Sequence, residues 1–336
     1  MISNTNHLHR AGQGIARNTI WFLWLAPVSA LACEELIGDW SLQMGSGTPA
    51  WLSIDKTDGS WDVKMRLYVG SEGPHSNVTI KDGRLTFKLR QNKKAPDSKT
   101  VDVGMRNGVL DGVVRTTSQD GAVHHDSFTG TKIPPVPTTP PDLSKVRFGI
   151  PRSLFNGRDL SGWSPHETDK KMGWSVQGGE LVNTTPKIDF SATGAYANLR
   201  TNAVFEDFWL HVEFNVGEGR NSGIYLRGMY EAQVVDRNSR MQGKQGAGAI
   251  FGRIEPTKNA GKEGGAWQAY DITLVDRHVT VVLNGEKVID NQPISGPTAG
   301  AVFTNPTMPG PIYLQGDHTS VKYRNMYLAP VIKNEM

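Results

Sequence analysis

The chain has 336 residues, enough for two domains. Its 36 basic and 33 acidic residues leave a formal charge of +3 with no Lys/Arg run, which argues against a nucleic-acid-binding protein. Gly (37) and Pro (19) punctuate turns, so many short strands are expected; nine Trp are read first as core, although Trp as a residue type also forms platforms for sugar rings.

Residues 1–19 are polar and carry Arg10 and Arg17 without an acid. An apolar run, Ile20 to Leu31, follows and ends in the small-x-small pattern Ala30-Leu31-Ala32. This order reads as a secretory signal peptide over 1–32, too short for a comfortable membrane span. Cys33 is the only cysteine, so no intramolecular disulfide can form. Its place after the cleavage pattern makes lipid attachment a second reading beside simple export, although Ala30 stands where a lipobox carries Leu. The expected location is periplasm, cell envelope or medium, with membrane contact only if Cys33 is lipidated.

Residues 33–132 read as a small β-rich accessory domain, a barrel or a sandwich. Trp61 to Leu67 and Arg84 to Leu89 alternate apolar with polar residues, the period of a half-buried strand. Asp58-Gly59, Asp82-Gly83, Asn107-Gly108 and Asp120-Gly121 fall between the runs as hairpin signals. Gly38-Asp39-Trp40 is too short a motif to assign a ligand. Residues 133–146 hold five prolines and read as an extended linker.

From 147 to 331 the runs are again short and strand-like, with Asn284-Gly285 as a tight turn and no long amphipathic helix. An all-β sandwich of two antiparallel sheets is the expected fold. Asn221 to Asp236 reads NSGIYLRGMYEAQVVD. With period two, Ile224, Leu226, Tyr230, Ala232 and Val234 form an apolar face. Tyr225, Arg227, Glu231 and Gln233 form a polar one. An ordinary solvated strand face has the same pattern, but an aromatic hydroxyl, a cation, a carboxylate and an amide together suit a sugar site. Further on, Tyr313 and Gln315 share a face, and Asp317-His318 follows as a metal pair, an acid–base pair or a turn.

Ser153 to Trp163 (SLFNGRDLSGW), the NSGIYLRG and YEAQVVD stretch, Trp267 to Asp271, VVLNGEKV, and PIYLQGDH with VKYRN occur in one order. This series resembles the 3-keto-disaccharide hydrolase family over about residues 152–330. The resemblance implies a concanavalin-like jelly roll whose concave sheet carries Tyr225, Arg227, Glu231 and Gln233, with Asp236, Gln315, Asp317, His318 and Arg324 nearby. It does not reach the N-terminal domain. Thr319 stands where the family often has Gly, and Tyr323 where it has Phe.

The implied reaction begins with a C3 carbonyl, which acidifies the C2 proton. A base removes that proton, the enolate expels the C1 glycosidic oxygen, and water addition then gives net hydrolysis. Such a site needs a base, an enolate stabiliser and an acid. The candidates are Glu231 or His318 as base, Arg227 or Arg324 as stabiliser, and Tyr225, Gln233, Gln315 and Tyr313 as substrate-binding groups. Asp236 or Asp317 would hold a divalent metal if one is used, and no motif calls for a nucleotide or organic cofactor. Two other readings stay open. A glucanase-type hydrolase would use Glu231 and Asp236, which point to opposite faces unless a bulge intervenes. A lectin-like envelope module would use the same polar face without turnover.

Overall fold

The computed structural model describes residues 34–68, 72–90, 96–186 and 192–333. The signal-peptide reading and Cys33 lie outside the described residues.

Eight antiparallel strands form the N-terminal unit: β1 (Gly38–Met44), β2 (Pro49–Thr57), β3 (Ser60–Arg66), β4 (Ser76–Lys81), β5 (Arg84–Lys88), β6 (Ser98–Arg106), β7 (Val109–Thr117) and β8 (Val123–Ile133). Their order is β3-β2-β1-β8-β7-β6-β5-β4, a meander rolled so that the first and last strands pair. Backbone bonds from Met65 and His75 to Glu72 and Val63 draw the two open edges towards a barrel. The hairpin signals act as read: Asp58-Gly59, Asp82-Gly83 and Asn107-Gly108 each place two successive residues at positive φ, as a type I′ turn requires. Leu42, Leu52, Ile54, Leu85, Phe87 and Val103 fill the interior.

The C-terminal unit is a jelly-roll sandwich of two sheets. The smaller sheet contains β10 (Trp163–Pro165), β13 (Leu199–Thr201), β15 (Asn221–Leu226), β16 (Tyr230–Val235) and β20 (Tyr313–Leu314). They lie in the order β10-β13-β20-β15-β16. The larger sheet runs β11 (Trp174–Gln177), β12 (Glu180–Asn183), β21 (Val321–Pro330), β14 (Phe208–Val216), β17 (Trp267–Val275), β18 (His278–Leu283) and β19 (Glu286–Pro293), with β9 (Arg152–Ser153) against β21. Among the described residues of the sandwich the only helical element is a 3-10 turn at Gly243–Gln245. Among the described residues no helix is long and apolar enough to cross a membrane.

Alternation builds the core between the sheets. In β14, Phe208, Leu210, Val212, Phe214 and Val216 are buried while the intervening residues are half-exposed. They meet Ile224, Leu226, Ala232 and Val234 of the smaller sheet. In β15 and β16 every residue is buried, on both faces. Their second face is therefore covered by something other than the large sheet, and that cover makes the site.

The two units touch closely. Ser41 Oγ lies 2.8 Å from Thr304 Oγ1, and Ser295 Oγ donates to Asp39 Oδ2 at 3.1 Å. Arg253 of the sandwich pairs with Glu72 of the barrel at 2.7 Å and lies over the Trp51 ring at 5.3 Å. Trp51 is 2% exposed yet stands outside the barrel core, so the sandwich buries it. The proline-rich segment runs along the sandwich, where Arg277 donates to the Pro134 carbonyl at 2.8 Å and Asn291 to that of Pro141 at 2.8 Å.

Candidate active site

The second face of β15, β16 and β20 lines a cavity of about 250 Å³. Pairing of Tyr225 with Glu231 and with Tyr313 places these three side by side across three strands. Asn221, two pleats from Tyr225, and Gln315, just past β20, extend the same face. Asp317 and His318 close one end, and Met241, Phe251, Ala299 and Gly300 contribute apolar walls. No Arg or Lys is among the described lining residues. A larger, more open recess of about 400 Å³ lies between residues 141–147 and 331–333 and contains none of the expected site residues.

Loops from the far end of the sandwich supply the roof. Residues 249–251 add to the free edge of β16, with Gln233 N donating to the Ala249 carbonyl at 3.0 Å and Phe251 N to that of Glu231 at 2.9 Å. The Glu231 N–H donates to Thr298 Oγ1 at 3.0 Å, and that hydroxyl donates to the Met229 carbonyl at 3.0 Å. Gly223 leaves room for the Glu231 side chain: a Cβ there would lie 2.3 Å from Oε1. Burial in this recess pushes the Glu231 carboxyl from 4.5 up to about 8. The charge of Asp317 adds to the rise, and a hydrogen bond with Tyr225 opposes it.

Tyr225 donates its hydroxyl to the Ala299 carbonyl at 2.8 Å and accepts a long bond from Gln315 Nε2 at 3.4 Å. It meets the Tyr313 ring edge to face at 5.0 Å between centroids. Burial raises both phenols well above their ordinary value, so they remain neutral donors. Two acceptors in the lining, Asn221 Oδ1 and Gln315 Oε1, are buried without a partner among the described residues. Buried acceptors of this kind are satisfied by ligand or solvent hydroxyls.

The Asp317-His318 pair is held from behind. Asn198 Oδ1 accepts the N–H groups of Gly316 at 2.7 Å and Asp317 at 3.2 Å. Asn198 is itself clamped by Glu167, through its backbone N–H at 2.9 Å and its amide at 3.0 Å. Asp317 Oδ1 sits 2.7 Å from His318 Nδ1. A carboxylate there favours the proton on Nδ1 and leaves Nε2 as the acceptor.

Four expected site residues stand elsewhere. Arg227 falls in the β15–β16 turn at φ 56°, where the period-two pattern ends. It is 2% exposed and donates to the carbonyls of Pro306 at 2.7 Å and Met308 at 2.5 Å, away from the cavity. Arg324 lies on the outer face of the large sheet, bonded to Glu213 at 2.7 Å and stacked 3.9 Å from the Trp267 ring centroid. Neither cation reaches a ligand in the cavity, which corrects the enolate-stabiliser assignment. Gln233 supports the wall from behind, donating to the Gln245 carbonyl at 3.0 Å while its own oxygen accepts from Val234 N. Asp236 accepts the N–H groups of Gly219 and Asn238, each at 2.8 Å, and is absent from the lining.

That position removes Asp236 as a partner of Glu231 in a glucanase-type pair, and as a metal ligand beside Asp317. Among the described residues no three His, Cys, Asp or Glu side chains come together as a metal cage, so the donor set does not fit the suggested divalent ion. Asn221 was missed although it opens the NSGIYLRG motif, where period two puts it on the face of Tyr225. Asn198 and Tyr68, a barrel residue in the lining, give no such sequence signal.

Among curated proteins none matches this chain. Solved structures with similarity include a candidate glycosyl hydrolase from Parabacteroides distasonis ATCC 8503, at 20% identity and TM-score 0.45, covering 54% of this chain and 94% of that one. They also include SCLam, a non-specific endo-beta-1,3(4)-glucanase of family GH16, at 12% identity and TM-score 0.34, covering 59% of this chain and 94% of that one. Porphyranase B from Zobellia galactanivorans aligns at 10% identity and TM-score 0.36, over 60% of this chain and all of that one. The family model described as the 3-keto-alpha-glucoside-1,2-lyase-like domain matches residues 151–329, more than half of the sequence, and this chain belongs to that family.

Proposed function

We propose that the protein is an exported enzyme that cleaves 3-keto-glycosides by C2 proton abstraction and β-elimination. The observation that carries this reading is Glu231: a carboxyl buried at the base of a sugar-sized cavity, with its proton affinity raised to about 8. A base poised near the working pH combines a usable ionised fraction with driving force for taking a weakly acidic C–H proton. Glu231 takes the proton from C2, and the electron pair moves to the C3 oxygen as an enolate. Neutral donors, the Tyr313 hydroxyl and the Gln315 amide, replace the expected arginines as hydrogen-bonding groups for that oxygen. The enolate then reforms its carbonyl, the new C1–C2 double bond forms, and the C1–O bond breaks. Glu231 then returns that proton to the departing oxygen, and His318, oriented by Asp317 with Nε2 as acceptor, takes a proton from the water that adds next. Addition of water to the unsaturated product gives net hydrolysis.

The orphan acceptors Asn221 Oδ1 and Gln315 Oε1 suit sugar hydroxyls, and the absence of cations from the described lining disfavours phosphorylated sugars. The test is to incubate the mature protein with a 3-keto-glucoside and its unoxidised parent in D₂O. Consumption of the keto form alone, with deuterium at C2, is expected. Cleavage of the parent would point to an ordinary glycosidase. Binding without turnover of either sugar would leave a lectin-like module.

A further inference from the structure

Tyr68 is the one barrel residue among those described that line the cavity. It packs on Tyr225, Tyr313 and Val302 of the sandwich, and its hydroxyl hydrogen-bonds with Tyr313. Its carbonyl accepts the Gly300 N–H at 2.9 Å. Gly300 sits at φ 75°, and a Cβ there would lie 2.7 Å from the Tyr225 hydroxyl, so glycine lets this loop close down between the two tyrosines. Tyr68 is anchored a short distance along the chain as well. Glu72 grips Arg253 at 2.7 and 3.0 Å, and Arg253 donates to the Pro297 carbonyl at 3.1 Å. Trp51 packs beneath that pair, and a Cβ on Gly296 would meet its ring at 2.9 Å. The barrel therefore holds both Tyr68 and residues 296–300, the same loop that roofs Glu231 through Thr298.

Resting on the function proposed above, we propose that Tyr68 is a substrate-positioning residue supplied by the N-terminal barrel. By walling the cavity, it restricts the site to the terminal ring of a short 3-keto-glycoside. The cavity, at about 250 Å³, is below the roughly 300–1,000 Å³ typical of pockets for drug-sized ligands, so one ring enters and a glycan chain does not pass through. Tyr68 offers both things a sugar ring needs from a wall: an aromatic face for its C–H groups and a phenol for a hydroxyl. Burial pushes that phenol up to about 12, so it serves as a neutral hydrogen-bonding group throughout the physiological range.

The experiment compares the full mature chain with its Tyr68→Phe and Tyr68→Ala variants. The probes are methyl 3-keto-α-glucopyranoside and a trisaccharide oxidised at C3 of its terminal ring. Calorimetric binding and turnover are measured separately, and thermal melts check folding. Tyr68→Ala should weaken binding of the one-ring probe and raise KM by about tenfold or more, with kcat nearly unchanged. It should also narrow the preference for the short probe over the trisaccharide. Tyr68→Phe should show the hydroxyl's share, a loss of severalfold. A folded Tyr68→Ala protein with wild-type affinity and size preference overturns the proposal. If that variant does not fold, unchanged affinity in Tyr68→Phe overturns it instead. Wild-type binding without turnover sinks the elimination mechanism alone, because the Tyr68 effect is still scored on affinity. A wild-type protein that binds neither probe overturns both.

Discussion

The two sheets of the sandwich carry polar faces of similar composition and opposite electrostatic fate. On the outer face of the large sheet, His211, Glu213 and Asn215 alternate with buried apolar residues. Each is partly exposed and paired: His211 with Asp271 at 2.8 Å, Glu213 with Arg324 and Asn325, Asn215 with the Gly265 carbonyl. Hydrogen bonding to Asp271 raises His211, and the bonds from Asn325 and Arg324 hold Glu213 below the ordinary carboxyl range despite its partial burial. On the smaller sheet, Glu231 sits in the same kind of alternation, but loops and a second domain cover it. Desolvation outweighs its hydrogen bond, and the carboxyl rises to about 8. A polar strand face becomes a reactive site when something removes its water, because the charged form then loses its solvation.

Exchanging the two carboxylates for amides breaks this comparison most directly. Glu231→Gln should lower kcat by about 10²–10⁴-fold, the usual contribution of a general base. Glu213→Gln should leave turnover of the same 3-keto-glucoside essentially intact. Equal losses in the two variants would refute the assignment of Glu231. In the wild type, kcat/KM should rise with pH and level off above about 8, since the base must be ionised. A rate that falls through this range would instead make Glu231 the acid.

Asp317→Asn should cost up to about 10²-fold in kcat by releasing His318 from its orientation, with affinity for the probe sugar retained. Gly223→Ala tests the space rather than the charge. The added Cβ, 2.3 Å from Glu231 Oε1, should destabilise the protein by about 1–3 kcal/mol in a chemical denaturation and displace the base. A fully active, equally stable Gly223→Ala variant would contradict the packing.

Stability against pH sharpens the contrast further. The folded protein holds the Glu231 proton more tightly than the unfolded chain does. Stability should therefore fall as pH rises from the ordinary 4.5 to about 8, by about 5 kcal/mol in total if this group acts alone. Glu231→Gln removes that slope, so the gap in Tm between variant and wild type should widen from pH 5 to pH 8.5. The smallest effect belongs to the outer face. His211, raised by Asp271, contributes stability below its ordinary pKa of 6.5 that is lost as pH rises through the folded value. With both partners partly exposed, His211→Asn should change stability near pH 6 by under about 1 kcal/mol.

Local chemistry made much of this molecule legible. Asp-Gly and Asn-Gly turns and period-two runs announced the barrel and the sandwich, and the NSGIYLRG, YEAQVVD and YLQGDH motifs held Asn221, Tyr225, Glu231, Tyr313 and Gln315, the strand side of the cavity. The two arginines were misplaced for separate local reasons. Arg227 continues the odd-numbered polar series only until the turn at φ 56° redirects it. Arg324 shares a motif with the cavity but sits on the other sheet, next to a bulge where β14 and β21 shift register between His211 and Glu213. Asp236 lies just past the end of β16, where two backbone N–H groups claim its oxygens.

By itself the sequence determined what depends on neighbours along the chain: strand periodicity, turn types and the family motifs. Tertiary structure alone decided which polar face lost its water, which acid would hold its proton to about 8, and that Tyr68 would reach the cavity from another domain. Those outcomes depend on burial and on contacts between residues far apart in the chain, such as Tyr68 with Gly300 and Glu72 with Arg253. Periodicity tells which residues share a face, but only packing tells what covers that face.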